Sequence, residues 1–178
     1  CLAELGYTGT TSAAVAARAG LSRGAQLHHF GTRDQLVVAA VEHLAQQRLR
    51  RVREQMAQLE LRDAEDGGAT DHRRRGTALR LLSDALSGPL YAASLELWVA
   101  ARAHEELRAE LVPTEDRVNA ELAEMCRTYV TQDPIEIRLT LDLLLGRGVS
   151  GLLAPHSHER QSEVLAAWAQ RLQGGPRG

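Results

Sequence analysis

Hydrophobic positions along this chain recur at helical spacing, and no segment alternates with period two. From residue 33 to residue 60 the apolar positions 37, 41, 44, 49, 52, 56 and 59 advance by threes and fours apart from one shift. That spacing predicts one long helix with one buried face. Tyr91, Leu95, Trp98 and Arg102 stand at i, i+4, i+7 and i+11 and share a face of a later helix. Between 134 and 153 the apolar residues cover more than one face, including the run Leu139 to Leu145. Val164, Leu165, Trp168 and Leu172 form a stripe on a final helix. Ala and Leu dominate, β-branched residues are sparse and aromatics make up 3 %. These are helix-forming preferences, so the fold class predicted is all-α, with about nine helices.

Punctuation between the apolar runs sets the boundaries. The stretch Cys1 to Gly6 reads as the last turn of a helix closed by glycine, and an N-terminal segment that would complete this helix is expected to be missing. Thr11 or Ser12 caps a second helix ending at Gly20, and Ser22 caps a third from Arg23 to Phe30, ended by Gly31. Thr32-Arg33-Asp34-Gln35 is a capping box that opens the long fourth helix. Residues 61–72 read as a loop, followed by helices over about 73–86, 90–111 (interrupted near His104) and 114–131, with Pro113 as a break. Asp133-Pro134-Ile135-Glu136 starts the next helix with a capping Asp and Pro at its first position. A last helix covers about 158–172, and a disordered tail is expected at 173–178.

Charge adds one asymmetry. The net charge is −2, and all 21 basic side chains are Arg. Residues 1–50 carry five Arg against Glu4, Asp34 and Glu42, while the rest of the chain is acidic overall. A weakly basic head on an acidic body suits a protein that presents one end to a polyanion. Arg48, Arg50, Arg51 and Arg53, and likewise Arg73 to Arg75, read as solvated faces. Cys1 and Cys126 are too few for a disulfide framework. No apolar run reaches the ~18 residues of a membrane span, and no signal peptide is visible, so a cytoplasmic location without membrane attachment is expected.

Two short helices joined by a glycine turn, the second capped by Ser22, form a helix-turn-helix. Val15, Ala16, Ala19, Leu21 and Phe30 are expected to close its small core. The first helix holds the second, whose N-terminal residues enter the major groove. Residues 10–36, TTSAAVAARAGLSRGAQLHHFGTRDQL, resemble the TetR (TetR/AcrR) repressor signature in residue type and spacing. The resemblance implies a DNA-binding head at 1–36 and a ligand-sensing and dimerisation domain at 37–172. It implies phosphate contacts at Thr11 and Ser12, and base reading where Ser22, Arg23, Gly24 and Ala25 open the recognition helix. Arg can pair with guanine O6 and N7, and Ala can touch a thymine methyl. Gln26, Leu27 and His28 continue that surface, and His29 and Arg33 take positions that contact the backbone. Gln26 and Leu27 depart from the family's usual Leu-Tyr. Gln26 is therefore either buried and bonded or turned to read a base.

The resemblance also implies a small-molecule inducer and a homodimer bound to a pseudo-palindromic double-stranded operator. Tyr91, Leu95, Trp98 and Arg102, with Met125 and Tyr129, are the ligand-binding candidates, Arg102 being the charged anchor if the ligand is an acid. Leu141, Leu145, Gly148, Leu152, Leu165 and Trp168 are the dimer-interface candidates. No metal and no cofactor is expected: His28 and His29 point about 100° apart on a helix, and His156 and His158 form only a weak pair. No nucleophile, base and acid stand at recognisable spacing, so no enzyme is expected. The function read from the sequence is a ligand-released repressor. The alternative is a small-molecule-binding protein or enzyme on the same helical scaffold without DNA binding.

Overall fold

The computed structural model describes residues 1–22, 24, 28, 30–65, 71–152 and 158–172. Among these residues the fold is all-helical, without a strand. The helices are α1 (Leu2–Gly9), α2 (Ser12–Ala19), α3 (Arg33–Glu65), α4 (Asp71–Ala85), α5 (Gly88–Ala101), α6 (Glu105–Tyr129), α7 (Pro134–Ser150) and α8 (His158–Arg171). The segment expected to be the short third helix lies largely outside the described residues. Gly24, His28 and Phe30 within it are helical.

Contacts group the chain into two compact units, residues 1–46 with 87–118, and residues 47–86 with 119–178. The first unit is built around Leu2, Val37, Val38, Val41, Ala93, Leu97, Ala101, Leu107 and Leu111, with Tyr7, Ala40, Trp98 and Ala100 packed against them. α1 therefore lies on α5, and the start of α3 completes the same core. α1 is interrupted at Gly6, whose φ of 64° and ψ of −173° leave the helical region. The Tyr7 N–H freed by that break donates to Glu96 Oε2 of α5 at 2.6 Å. Glycine is needed here, because a β-carbon would sit 2.6 Å from the same carboxylate and at a positive φ.

α3 is tied to α6 within this unit by polar contacts. Gln35 Nε2 donates to Glu110 Oε1 at 2.8 Å, and Arg117 Nε donates to Glu42 Oε1 at 2.7 Å. The Arg117 hydrogen bond holds the Glu42 carboxyl below its ordinary value. This tie therefore stabilises the fold above the ordinary carboxylate range and is lost as pH falls through the depressed value.

In the second unit α4 packs on α7 and α8. Its interior includes Leu79, Leu82, Leu122, Met125, Cys126, Leu144 and Leu165. Thr140, fully buried, donates to the Glu136 carbonyl at 2.7 Å and accepts from Trp168 Nε1 at 2.9 Å. The Asp133 cap of α7 is formed as the sequence indicates: one carboxylate oxygen accepts from Ile135 N at 2.8 Å and Glu136 N at 3.0 Å.

Two boundaries differ from the sequence reading. Pro113 does not end a helix but lies inside α6. A proline in a helix interior costs ~3 kcal/mol. Here it and Ala109, whose carbonyl loses its partner, both face solvent, so water can satisfy that group. Burial of Leu107, Leu111, Leu122 and Met125 along the same helix offsets the cost. The break falls at residues 102–104, where the sequence reading placed an interruption near His104. Part of the expected loop at 61–72 is helical, since α3 runs to Glu65 and α4 starts at Asp71, while residues 66–70 lie outside the described residues. The arginines of α3 divide as well: Arg50 and Arg51 are exposed, whereas Arg48 donates to the Ala85 carbonyl at 3.0 Å and Arg53 pairs with Glu121 at 3.2 Å.

Gly6→Ala should lower stability by ~1–2 kcal/mol from backbone conformation alone, with a further loss from displacing Glu96. Urea denaturation checks this, and an unchanged midpoint would show that α1 continues through Gly6 without a break.

Candidate nucleic-acid interface

α2 begins as its sequence dictates. Thr11 adopts extended backbone, and its Oγ1 accepts from Ala14 N at 3.1 Å. Gly20 ends the helix in the left-handed conformation, φ 65°. Gly20 N bonds to Ala17 O at 3.3 Å and Leu21 N to Ala16 O at 3.0 Å, the paired bonds of a Schellman turn. Thr11 is exposed and Ser12 half-exposed at the N-terminal end of α2, where backbone amides and the positive end of the helix dipole favour a phosphate. Ser22, Gly24 and His28 are exposed. Arg23, Ala25, Gln26, Leu27 and His29 lie outside the described residues.

The core expected inside this head is only partly formed. Ala16 is buried, but Ala19 is exposed, Leu21 is 56 % exposed and Phe30 38 %. The Schellman turn fixes the backbone at Leu21 while leaving its side chain outside. The apolar support of the head comes instead from Leu2 and Tyr7 of α1 against the first-unit core.

The entry to α3 is the most heavily bonded point of the site. The capping box is complete: Gln35 N donates to Thr32 Oγ1 at 3.1 Å, and Thr32 N donates to Gln35 Oε1 at 3.3 Å. Arg33, expected at the DNA backbone, has its guanidinium engaged within the protein. Its Nε donates to the Thr10 carbonyl at 2.7 Å, one Nη to the Tyr7 carbonyl, and the other to Asp34 Oδ1 at 3.2 Å. It also lies over the Tyr7 ring, 4.3 Å from the centroid, while the Tyr7 hydroxyl donates to Asp34 at 3.0 Å. The carbonyls of Tyr7 and Thr10 close the C-terminal end of α1, so Arg33 caps that helix. The sequence carried a signal for this in Tyr7 and Asp34, but only the fold brings them to Arg33. Arg18 of α2 pairs with Glu4 of α1 through both guanidinium nitrogens, one at 2.8 Å.

The ligand candidates divide between the units. Tyr91 is buried, Leu95 and Trp98 are half-buried, and Arg102 is exposed beyond the end of α5. Tyr91 and Trp98 meet edge to face, with ring centroids 6.2 Å apart. Burial pushes the Tyr91 hydroxyl up to about 12, and the nearby Glu115 carboxylate adds to this. Glu115, which the sequence reading did not single out, is half-buried on α6 beside Trp98. Met125 and Tyr129 belong to the second unit. Met125 is core, and Tyr129 lines an open cleft of about 410 Å3 with Arg74, Arg75 and Arg127. Arg74 and Arg75 are thus half-buried rather than fully solvated. Cys126 is buried, which pushes its thiol up to about 12 and leaves it unreactive. Among the described residues no group of three or more His, Cys, Asp or Glu could hold a metal ion. Nor is any helix among them long and apolar enough to cross a membrane.

The interface candidates also divide. Leu141 and Leu165 are buried within the chain, and Trp168 is bonded to Thr140. Leu145 and Gly148 are half-buried, and Leu152 is 44 % exposed. The apolar groups left uncovered on α7 are Ile135, Leu139 and Val149, with Val164 on α8.

Residues 1–40 match the family model described as bacterial regulatory proteins, tetR family. Over 152 residues the chain is 32 % identical to the HTH-type transcriptional regulator CymR of Pseudomonas putida, covering 84 % of this chain and 62 % of that protein. The chain thus spans less than two thirds of that regulator's length. It is 28 % identical over 173 residues to an HTH-type transcriptional regulator of Mycobacterium tuberculosis, covering 92 % of this chain and 84 % of that one. The fold is similar to the crystal structure of the multidrug binding protein EbrR complexed with imidazole, with a TM-score of 0.69 and 24 % identity, covering 96 % of this chain and 87 % of that one.

Removing the Arg33 guanidinium should cost stability whether or not DNA is present. Arg33→Ala is expected to lose ~1–3 kcal/mol, the range for a charged hydrogen-bonding group. Arg33→Lys should recover only part of this, because an ammonium cannot hold two carbonyls and a carboxylate in one fork. Urea titration of the three proteins without DNA is the check; equal stabilities would leave Arg33 to the nucleic acid alone.

Proposed function

We propose that this chain, whose residues 1–40 match the tetR family model, is a TetR-type DNA-binding transcription regulator that binds its operator as a homodimer and leaves it when a small molecule binds the helical body. The observation that carries this reading is the sequence of caps between Thr11 and Gln35. Thr11 starts α2, the Schellman turn at Gly20 ends it, and the Thr32–Gln35 box starts α3 on the far side of the short helical stretch containing Gly24 and His28. Two helices so delimited by a tight turn present the second to a major groove. The similar transcriptional regulators support it, and a DNA target places the protein in the cytoplasm. The competing reading, a helical binding protein or enzyme that never meets DNA, would leave the exposed α2 terminus without a role.

On this reading Thr11 and Ser12 meet phosphate, and Arg23, Gly24 and Ala25 read base edges. Arg23→Ala should weaken operator binding by ~1–3 kcal/mol and relax discrimination at one base step in each half-site. Gel shifts with the DNA upstream of the gene test this; unaltered specific binding would remove Arg23 from the recognition surface.

The homodimer reading rests on the uncovered apolar stripe of α7. Ile135, Leu139 and Val149 lie at i, i+4 and i+14, 71 %, 49 % and 49 % exposed. Gly146 on the same face leaves open space for a second helix. Leu139→Glu should give folded monomers with weakened operator affinity, since one head alone makes few contacts. Trp168→Glu should instead destabilise the chain, by breaking the Thr140 bond. Sedimentation velocity and circular dichroism separate these outcomes. A Leu139→Glu dimer of unchanged strength would place the interface elsewhere.

A further inference from the structure

We infer that Tyr91, Trp98 and Glu115 form the recognition element for an organic cation, the paired rings offering aromatic surface to its apolar body and the Glu115 carboxylate taking its N–H. This rests on the ligand-responsive reading above and names the chemistry of the ligand. All three residues belong to the first unit; two features of the arrangement are unfavourable as they stand, and a third offers aromatic surface. Trp98 Nε1 is buried, and among the described residues no acceptor meets it with hydrogen-bonding geometry, although Glu115 lies beside it. A buried donor left without a partner costs free energy. Glu115 is half-buried, and burial raises its carboxyl above the ordinary range. The groups that act on it are Trp98, which opposes this, and Asp116, whose negative charge adds to it. No arginine or histidine is among them. Finally, Tyr91 and Trp98 meet edge to face at 6.2 Å and border this carboxyl with aromatic surface.

A cation answers both unfavourable features and uses the aromatic surface. Its charge favours the ionised carboxylate, which then accepts both the ligand N–H and the Trp98 indole N–H. The faces of Tyr91 and Trp98 attract the same charge, more strongly where water is excluded. An anionic ligand would face repulsion from Glu115 and Asp116. Arg102, the anchor an acid would need, is exposed at the C-terminal cap of α5. A purely structural role is a poor account of Glu115, because an apolar or amide side chain would fill the position without the cost of a half-buried carboxylate.

The test uses the full chain and three probes with one ring system and different charge: 1-naphthylmethylammonium, 1-naphthylmethanol and 1-naphthoate, each titrated calorimetrically without DNA. The ammonium is expected to bind at least about tenfold more tightly than the alcohol, and the carboxylate most weakly. Glu115→Gln should remove most of the ammonium's advantage while leaving the alcohol's affinity unchanged. Its melting temperature should equal or exceed the parent's, since it removes a buried charge. Trp98→Phe, which keeps a ring but loses the N–H, should lower ammonium affinity more than alcohol affinity. Equal affinities for the three probes, no binding by any of them, or a Glu115→Gln loss shared by the alcohol would overturn the assignment. So would a marked fall in the melting temperature of Glu115→Gln. Gel shifts on the same preparation read operator binding separately. Tight ammonium binding without loss of operator affinity would sustain the cation site and count against the regulatory reading alone.

Discussion

The guanidinium of Arg33 is the interaction on which the head depends. A helix of eight residues such as α1 is marginal on its own, and α1 is further weakened by the break at Gly6. At its C-terminal end the Tyr7 carbonyl accepts the capping Thr10 N–H from the backbone, and Arg33, the first residue of α3, supplies donors to the carbonyls of both Tyr7 and Thr10. The same side chain lies over Tyr7, whose hydroxyl reaches Asp34. One residue at a helix entry thus fixes the end of α1, the orientation of Tyr7 and the starting direction of α3. Because α2 follows α1 after only two residues and is held to it by Arg18 and Glu4, the position of the Thr11 cap follows from that knot. An arginine used in this way is not interchangeable with lysine, since it is the planar fork that reaches two carbonyls and a carboxylate at once.

Local chemistry was the part of this architecture legible in the sequence. The caps at Thr11, Gly20, Thr32 and Asp133 are formed by the residues that announce them, because each is satisfied within a few positions of chain. The apolar face of α3 is likewise where its spacing places it: Val37, Val41, Leu49, Val52 and Met56 are all buried. What the sequence could not convey depends on distant partners. Pro113 reads as a break by its own covalent chemistry, and only the apolar residues on both sides of it in α6 carry the helix through. Leu141 and Leu165 read as interface residues because α7 is apolar on more than one face, and spacing alone does not say which face meets the protein's own α4. Arg33 reads as a phosphate ligand by resemblance, while its nearest carbonyls lie more than twenty residues earlier. Glu115 gave no signal, since one Glu among many on an amphipathic helix is unremarked until a buried indole lies beside it.

These long-range contacts converge on α6. Gln35 has two roles: its Oε1 closes the capping box on Thr32, and its Nε2 donates to Glu110. One turn beyond Glu110 on α6 stands Pro113, then Thr114 and Glu115, and Arg117 reaches back to Glu42 of α3 while also donating to Thr114 at 3.0 Å. The helix is weakest at the proline, where one backbone hydrogen bond is missing. That weak point lies between the residue that holds Gln35 and the residue that carries the half-buried carboxylate. On the cation reading, a charge drawn against Glu115 would act on the C-terminal side of Pro113, and the Thr32–Gln35 cap is bonded to its N-terminal side.

Such an arrangement sets a direction for linkage. On the ligand-responsive reading proposed above, a cation held at Glu115 would be linked along α6 to the Gln35–Glu110 bond, and through it to the cap that starts α3 beside Arg33. The reverse holds with equal size, because coupling between two binding equilibria is reciprocal. The polar ties are few and partly exposed, so each is individually weak. A coupling of this kind would be carried by α6 as a whole helix rather than by any single bond. The helix holds together across Pro113 because buried Leu107, Leu111, Leu122 and Met125 on its two sides offset the cost of the proline.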